Sequence, residues 1–203
     1  MRAGQIDLLD LELPITLRPS APVSDEDLMR FSEQNKPYKI ERNKEGEISI
    51  MTPMNYRGGK HEGYVAAALL LWAEEDGRGS AVPANVGFNL PDGSCLAPDA
   101  AWLTKEREEG LTPEQQDSFP PVCPDFVIEI RSKSDPRRAV EAKMRSWIDN
   151  GAKLAWLIDP IDGNITIYRP GQAAETHDRP EVVTATEPVL GFKLRCARLW
   201  PPR

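Results

Sequence analysis

Hydrophobic positions along the chain change their period several times, and each change marks a predicted element. Asp125-Phe126-Val127-Ile128-Glu129-Ile130-Arg131 is an apolar run of strand length, the pattern of a buried strand, with one carboxylate, Glu129, in its middle. Desolvating a carboxylate costs several kcal/mol unless it is paired or binds a metal, so a strand that keeps Glu129 must supply it with a partner. After the turn Ser132-Lys133-Ser134-Asp135-Pro136, the apolar residues Val140, Met144, Trp147 and Ile148 recur at helical spacing. Asp135 is placed to cap this helix, Pro136 suits its first position, and Gly151 suits its left-handed close after Asn150. A second apolar strand follows at Lys153 to Asp159 and an alternating one at Ile165 to Arg169. Strand, helix, strand in this order predicts a parallel, right-handed crossover.

Upstream, Ser24 before Asp25, Glu26 and Asp27 is a strong helix start, and the helix should reach about Asn35. Tyr38 to Arg42 and Glu47 to Thr52 flank Asn43-Lys44-Glu45-Gly46 as a hairpin. The longest helical pattern runs from about Gly58 to Asp76 and closes at Gly77, with Glu62, Ala66, Leu69, Leu70 and Ala73 on one face. Ser80 to Leu90 and Cys95 to Leu103 read as a second hairpin around Pro91-Asp92-Gly93, and its returning strand places Ala97, Asp99 and Ala101 on one face. Residues 105–121 are charged and punctuated by proline, an expected surface excursion with a short helix. From Gly171 the short apolar runs suggest an edge hairpin ending at Leu199-Trp200. Residues 1–23 read as an N-terminal arm packing on the body or on a partner, and 24–203 as one domain of mixed α/β (α+β) class.

Charge narrows the candidate partners. Against 25 basic residues stand 32 acidic ones, a net charge of −7, so the surface as a whole does not draw in polyanions and any nucleic-acid binding must be local. Cys95, Cys123 and Cys196 lack the paired spacing of a zinc site and fit free thiols in a reducing compartment. The longest apolar run, Val65 to Ala73, is short for a membrane span of roughly 20 residues, and the N-terminus lacks a signal-peptide core, so a soluble, cytoplasmic protein is expected.

Four side chains stand where propensity alone would not put them: Glu62 on a helix, Asp99 and Glu129 on strands, and Lys143 at the margin of the helix after Glu129. Each also has a plainer reading. Glu62 suits the first turns of a helix, Asp99 a solvent-facing edge, and Lys143 a snorkelling position, while His61 suits a surface or capping role. If the strands of Asp99 and Glu129 are neighbours, their carboxylates can converge and hold a hard divalent cation. Such a site, with a nearby ammonium, suits phosphodiester hydrolysis. The thirty-residue gap between the two acids carries no spacing rule of its own.

Pro98-Asp99, Pro124-Asp125-Phe126-Val127-Ile128-Glu129-Ile130-Arg131-Ser132, Lys143, Gly151-Ala152, Trp156-Leu157-Ile158-Asp159-Pro160 and Leu190-Gly191-Phe192 together resemble the Uma family of bacterial proteins. That family is assigned to the restriction-endonuclease-like PD-(D/E)xK nuclease superfamily, and the resemblance runs from about Ser24 to Trp200. It implies a mixed β-sheet core flanked by helices, with additional hairpins, and an endonuclease site using Mg2+ or Mn2+ on nucleic acid, DNA in particular. By the resemblance, Asp99 and Glu129 are the metal-binding acids, joined by the carbonyl of Ile130. Lys143 is the displaced lysine, Glu62 a helical acid, and a homodimer is implied. The simple motif places a lysine two positions after the second acid, where this chain has Arg131, which stays charged and cannot act as a base. Either Lys143 reaches the site or Arg131 takes its electrostatic role. The alternative of another class is an inactive interaction or nucleic-acid-binding module on the same fold.

Overall fold

A computed structural model describes residues 13–201. In chain order the elements are β1 (Ile15–Leu17), α1 (Asp25–Gln34), β2 (Lys39–Arg42), β3 (Ile48–Met51), α2 (Tyr56–Asp76), β4 (Gly79–Pro83), β5 (Phe88–Asn89), β6 (Cys95–Leu96), β7 (Ala100–Thr104), α3 (Lys105–Glu109), α4 (Pro113–Gln116), β8 (Phe126–Ile130), α5 (Arg137–Asp149), β9 (Leu154–Asp159), β10 (Asn164–Tyr168), β11 (Glu175–Asp178), β12 (Val182–Thr184) and β13 (Lys193–Arg195). This is the mixed α+β class expected. A six-stranded sheet has the order β11-β10-β9-β8-β7-β4, a five-stranded sheet the order β1-β3-β2-β6-β5, and β12-β13 form a separate ribbon.

The six-stranded sheet is the frame. β8 lies inside it, parallel to β9 through the α5 crossover and antiparallel to β7. Side chains alternate across it, so Phe126, Ile128 and Ile130 join the core under α2 and the C-terminal segment, while Val127 joins the core under α5. Glu129 therefore faces α5, the side on which Met144 and Trp147 are buried. A third apolar cluster, with Leu28, Ile40, Ile48 and Ile50, sits between α1 and the five-stranded sheet.

Helix ends follow local chemistry. The Ser24 hydroxyl accepts the Asp27 N–H at 3.1 Å. α2 starts two residues before the expected Gly58, because the Asn55 side chain caps it at Gly58 N–H (2.9 Å), and Gly77 closes it at φ +70°. Its buried stripe is Val65, Ala66, Leu69 and Ala73, and Leu70, expected on that face, is exposed instead. α5 departs from expectation at its start. Pro136 is the capping position, and the Asp135 carboxylate accepts the Ser132 N–H (3.0 Å), bracing the preceding turn.

The hairpin expected over Ser80 to Leu103 is divided between two sheets. β4 pairs with β7 in the six-stranded sheet, whereas β5 pairs with β6 in the five-stranded one. Asn85, at φ +69°, lies in the turn by which the chain leaves the first for the second, a conformation asparagine tolerates better than most residues. Near the C-terminus β11 extends the large sheet beside β10, while β12 and β13 form their own ribbon. The excursion at 105–121 contains two short helices, α3 and α4. Of the expected arm, residues 1–12 lie outside the described residues, and β1 pairs antiparallel with β3.

Two glycines test this packing in opposite directions. An added Cβ at Gly79 would lie 2.0 Å from the Leu103 carbonyl oxygen and 2.6 Å from the Trp102 ring, whereas at Gly63, on the exposed side of α2, it would meet nothing within 4 Å. Gly79→Ala is expected to lower stability by roughly 3 kcal/mol through overpacking, and Gly63→Ala to raise it by roughly 1 kcal/mol through helix propensity. Urea unfolding of the two variants should shift in opposite directions; shifts of the same sign would contradict the packing described.

Candidate active site

Backbone pairing between β7 and β8 sets the first acid. Asp99 stands at the bend entering β7 rather than inside a strand, since β7 begins at Ala100. Its N–H donates to the Ile128 carbonyl (3.1 Å), and its Oδ2 accepts the Ile130 N–H (2.8 Å). With Ala100 opposite Ile128, these two bonds seat a buried carboxylate beside β8.

Glu129 is buried on the α5 side of β8, and α5 supplies its partners. Lys143 and Trp147 are four residues apart and so share a face of the helix. The indole N–H of Trp147 donates to Glu129 Oε1 (2.8 Å), and Lys143 Nζ lies 2.8 Å from the same oxygen. Lys143 also donates to Glu41 Oε1 (2.7 Å) and to the Ala97 carbonyl (3.1 Å).

Glu41 and Lys39 went unassigned in the sequence. On β2 they flank Ile40, which faces the core under α1, so both charges project from the other side of the five-stranded sheet. That side meets the larger sheet. Glu41 is buried and accepts the Ala97 N–H (3.0 Å), and Lys39 Nζ lies 3.2 Å from Asp99 Oδ1 and 3.8 Å from Glu41 Oε1. Charge, apolar, charge is the ordinary signature of a hairpin with one wet face. Only the packing of two sheets converts that face into part of a site.

Burial and charge act against each other in this cluster. Burial pushes Glu129 up to about 7; the Lys143 ammonium opposes the rise and the Asp99 carboxylate adds to it. Burial also opposes ionisation of Glu41, but Lys143 and Lys39 outweigh it and hold Glu41 below its ordinary value. Burial disfavours the charge on Lys143, yet Glu129 and Glu41 overcome it and the pKa is raised. Lys39 behaves likewise, with Asp99 as its strongest partner.

The remaining expected members divide. Ile130 lines the groove above the cluster and gives its N–H to Asp99. Glu62 is not among the residues lining that groove. It is half-buried on α2, and burial, then the Asp99 charge, raises its pKa. No hydrogen bond or ion pair joins Glu62 to the cluster among the described residues. Arg131 is engaged elsewhere: its Nη1 lies 2.7 Å from Asp159 and 3.0 Å from Asp162, and its Nε donates to the Asp135 carbonyl (3.2 Å). Of the two cations weighed in the sequence, it is Lys143 that stands beside Glu129.

The groove has a volume of about 820 Å3, and seven acidic and four basic side chains line it. The donor set for a metal is two hard carboxylates, Asp99 and Glu129, and no group of three or more His, Cys, Asp or Glu side chains is arranged to hold an ion among the described residues. Two carboxylates with water and substrate oxygens are the habitual environment of Mg2+, so the residues fit such a cation in kind.

A family model, "Uma2: Putative restriction endonuclease", matches residues 25–197, from the first residue of α1 to just past β13. The chain belongs to the Uma2 family. Asp99, Glu129, Lys143, Lys39 and Glu41 all fall inside the Uma2 match. Among solved structures, the crystal structure of a putative nuclease belonging to DUF820 from Anabaena variabilis ATCC 29413 is similar in fold. It is 19% identical, with a TM-score of 0.66, over 79% of this chain and 89% of that one. A search of curated proteins found no match. No helix among the described residues is long and apolar enough to cross a membrane.

The position of Glu129 gives this Uma2 site a pH signature. The folded protein holds a proton on Glu129 that the unfolded chain releases between its ordinary 4.5 and about 7, so this group's contribution to stability declines as pH rises through that window. Deprotonation changes the acceptor of the Trp147 indole. Tryptophan fluorescence should therefore show a transition near pH 7 that Glu129→Gln lacks; identical pH profiles would remove the assignment.

Proposed function

We propose that the chain is a metal-dependent endonuclease that hydrolyses phosphodiester bonds of nucleic acid, DNA in the first instance. The observation that carries this reading is the convergence of Asp99, held by β8 backbone, and Glu129, 2.8 Å from the Lys143 ammonium, in one groove. Membership of a family described as "Putative restriction endonuclease" supports it. Asp99, Glu129 and the carbonyl of Ile130 would hold Mg2+ or Mn2+. When bound, the cation would supply a Lewis acid and a bound water of lowered pKa.

The chain's own residues do the rest of the work. Lys143 opposes the burial that would protonate Glu129, keeping a carboxylate available near neutral pH, and its ammonium stands at the acid that would hold the cation. Glu62, outside the groove but within the field of Asp99, would assist through a water or a second cation. A lining richer in acids than bases repels a bare polyanion, so nucleic acid would enter only with divalent cation present. An inactive binding module is the second reading, and the engagement of Lys143 by two hydrogen bonds and the Glu129 ion pair favours it.

Cleavage of plasmid and of single-stranded DNA, with Mg2+ or Mn2+ and with EDTA, separates the two. Wild-type protein should cut, and Asp99→Asn, which preserves an acceptor for the Ile130 N–H, should lose activity by roughly 100-fold or more, as should Glu129→Gln. Equal cleavage by all three proteins would sink the endonuclease reading.

A further inference from the structure

The site holds two lysines, and their surroundings differ. Lys143 holds its ammonium among three protein oxygens, hydrogen-bonded to Glu41 Oε1 (2.7 Å) and Ala97 O (3.1 Å) and ion-paired with Glu129 Oε1 (2.8 Å). It links α5 to both sheets and could not turn to a ligand without taking its charge away from two buried carboxylates. Among the described residues Lys39 makes one hydrogen bond, to Asp99 Oδ1 at 3.2 Å, and one longer ion pair, to Glu41 at 3.8 Å. Both lysines line the groove.

The oxygen that Lys39 occupies is an oxygen a divalent cation would need. Asp99 Oδ2 is tied to the Ile130 N–H, which leaves Oδ1 as the freer atom, and Oδ1 faces Lys39. An ammonium and a divalent cation on one carboxylate oxygen repel each other, so the two compete for Oδ1.

Resting on the metal-dependent reading above, we propose that Lys39 is an exchangeable cation: it neutralises Asp99 in the metal-free protein, gives up Oδ1 when a divalent cation binds, and turns its ammonium to the phosphodiester. Lys143 is then a positioning residue that fixes Glu129 and Glu41, and Lys39 is the substrate-facing cation. The division would also reconcile a Lys143 held by Glu41, Glu129 and Ala97 with chemistry that calls for an ammonium near the phosphate.

The test is calorimetric titration of Mn2+ into wild type, Lys39→Met and Lys39→Arg, together with fluorescence-anisotropy binding of a labelled single-stranded oligodeoxynucleotide in Ca2+. Thermal unfolding serves as the check that each variant is folded. Lys39→Met keeps the apolar stem and removes the competing charge, so Mn2+ should bind roughly tenfold tighter or more, while oligonucleotide affinity falls by about tenfold. Lys39→Arg should stay near wild type in Mn2+ affinity. Equal or weaker Mn2+ binding by Lys39→Met overturns the exchange, and unchanged oligonucleotide affinity overturns the substrate-facing role. Absence of Mn2+ binding to both wild type and Lys39→Met overturns the metal-dependent reading itself, a result distinct from equal binding.

Discussion

Burying Glu129 in the middle of a strand creates a demand that the surrounding structure is arranged to meet. The carboxylate faces α5, so α5 must present donors at that depth, and Lys143 and Trp147, one helical turn apart, do so. Lys143 in turn needs a second acceptor for its charge. Glu41 provides it from the five-stranded sheet, and Ala97 binds both partners, donating its N–H to Glu41 and accepting from Lys143 at its carbonyl. One ammonium thus ties together the helix and the two sheets. Removing either carboxylate would leave a buried cation short of a partner, a loss typically of several kcal/mol.

The larger frame could be read in the sequence because it rests on local periodicity. The β8–α5–β9 crossover, the α2 helix with its closing Gly77 and the β2–β3 hairpin all follow from apolar spacing and turn chemistry. What could not be read there depends on tertiary placement. The Ser80–Leu103 segment looks like one hairpin because its apolar residues and its turn are continuous, yet it serves two sheets in turn. Asp135 has the composition of a cap, but the turn before α5 recruits its carboxylate first.

The site divides along the same line. Asp99 and Glu129 were visible as acids in the wrong environment, and they share one groove. Lys143 was visible only as a marginal residue on α5, and its partners lie 14 and 102 residues away in sequence, at Glu129 and Glu41. Lys39 and Glu41 gave no signal because a charged hairpin face is what solvent exposure also produces. Arg131 illustrates the opposite hazard. Its sequence position suggests the missing lysine of a compact motif, while its guanidinium clasps Asp159 at the end of β9 and Asp162 in the turn beyond it.

Asp99 is fastened twice to β8, through its backbone N–H and through its carboxylate. The separation of the two acids is accordingly measured across a ladder of peptide hydrogen bonds and not along the chain that joins them. Residues 110–118, between the parts of the excursion tied to Ser80 through Glu108 and to Asn89 through Phe119 and Pro120, can lengthen or shorten without moving either acid, since closing a longer loop costs only about 0.6 kcal/mol per doubling. That segment is free to diversify while the acids stay fixed, which leaves a variable surface beside a groove whose geometry need not change.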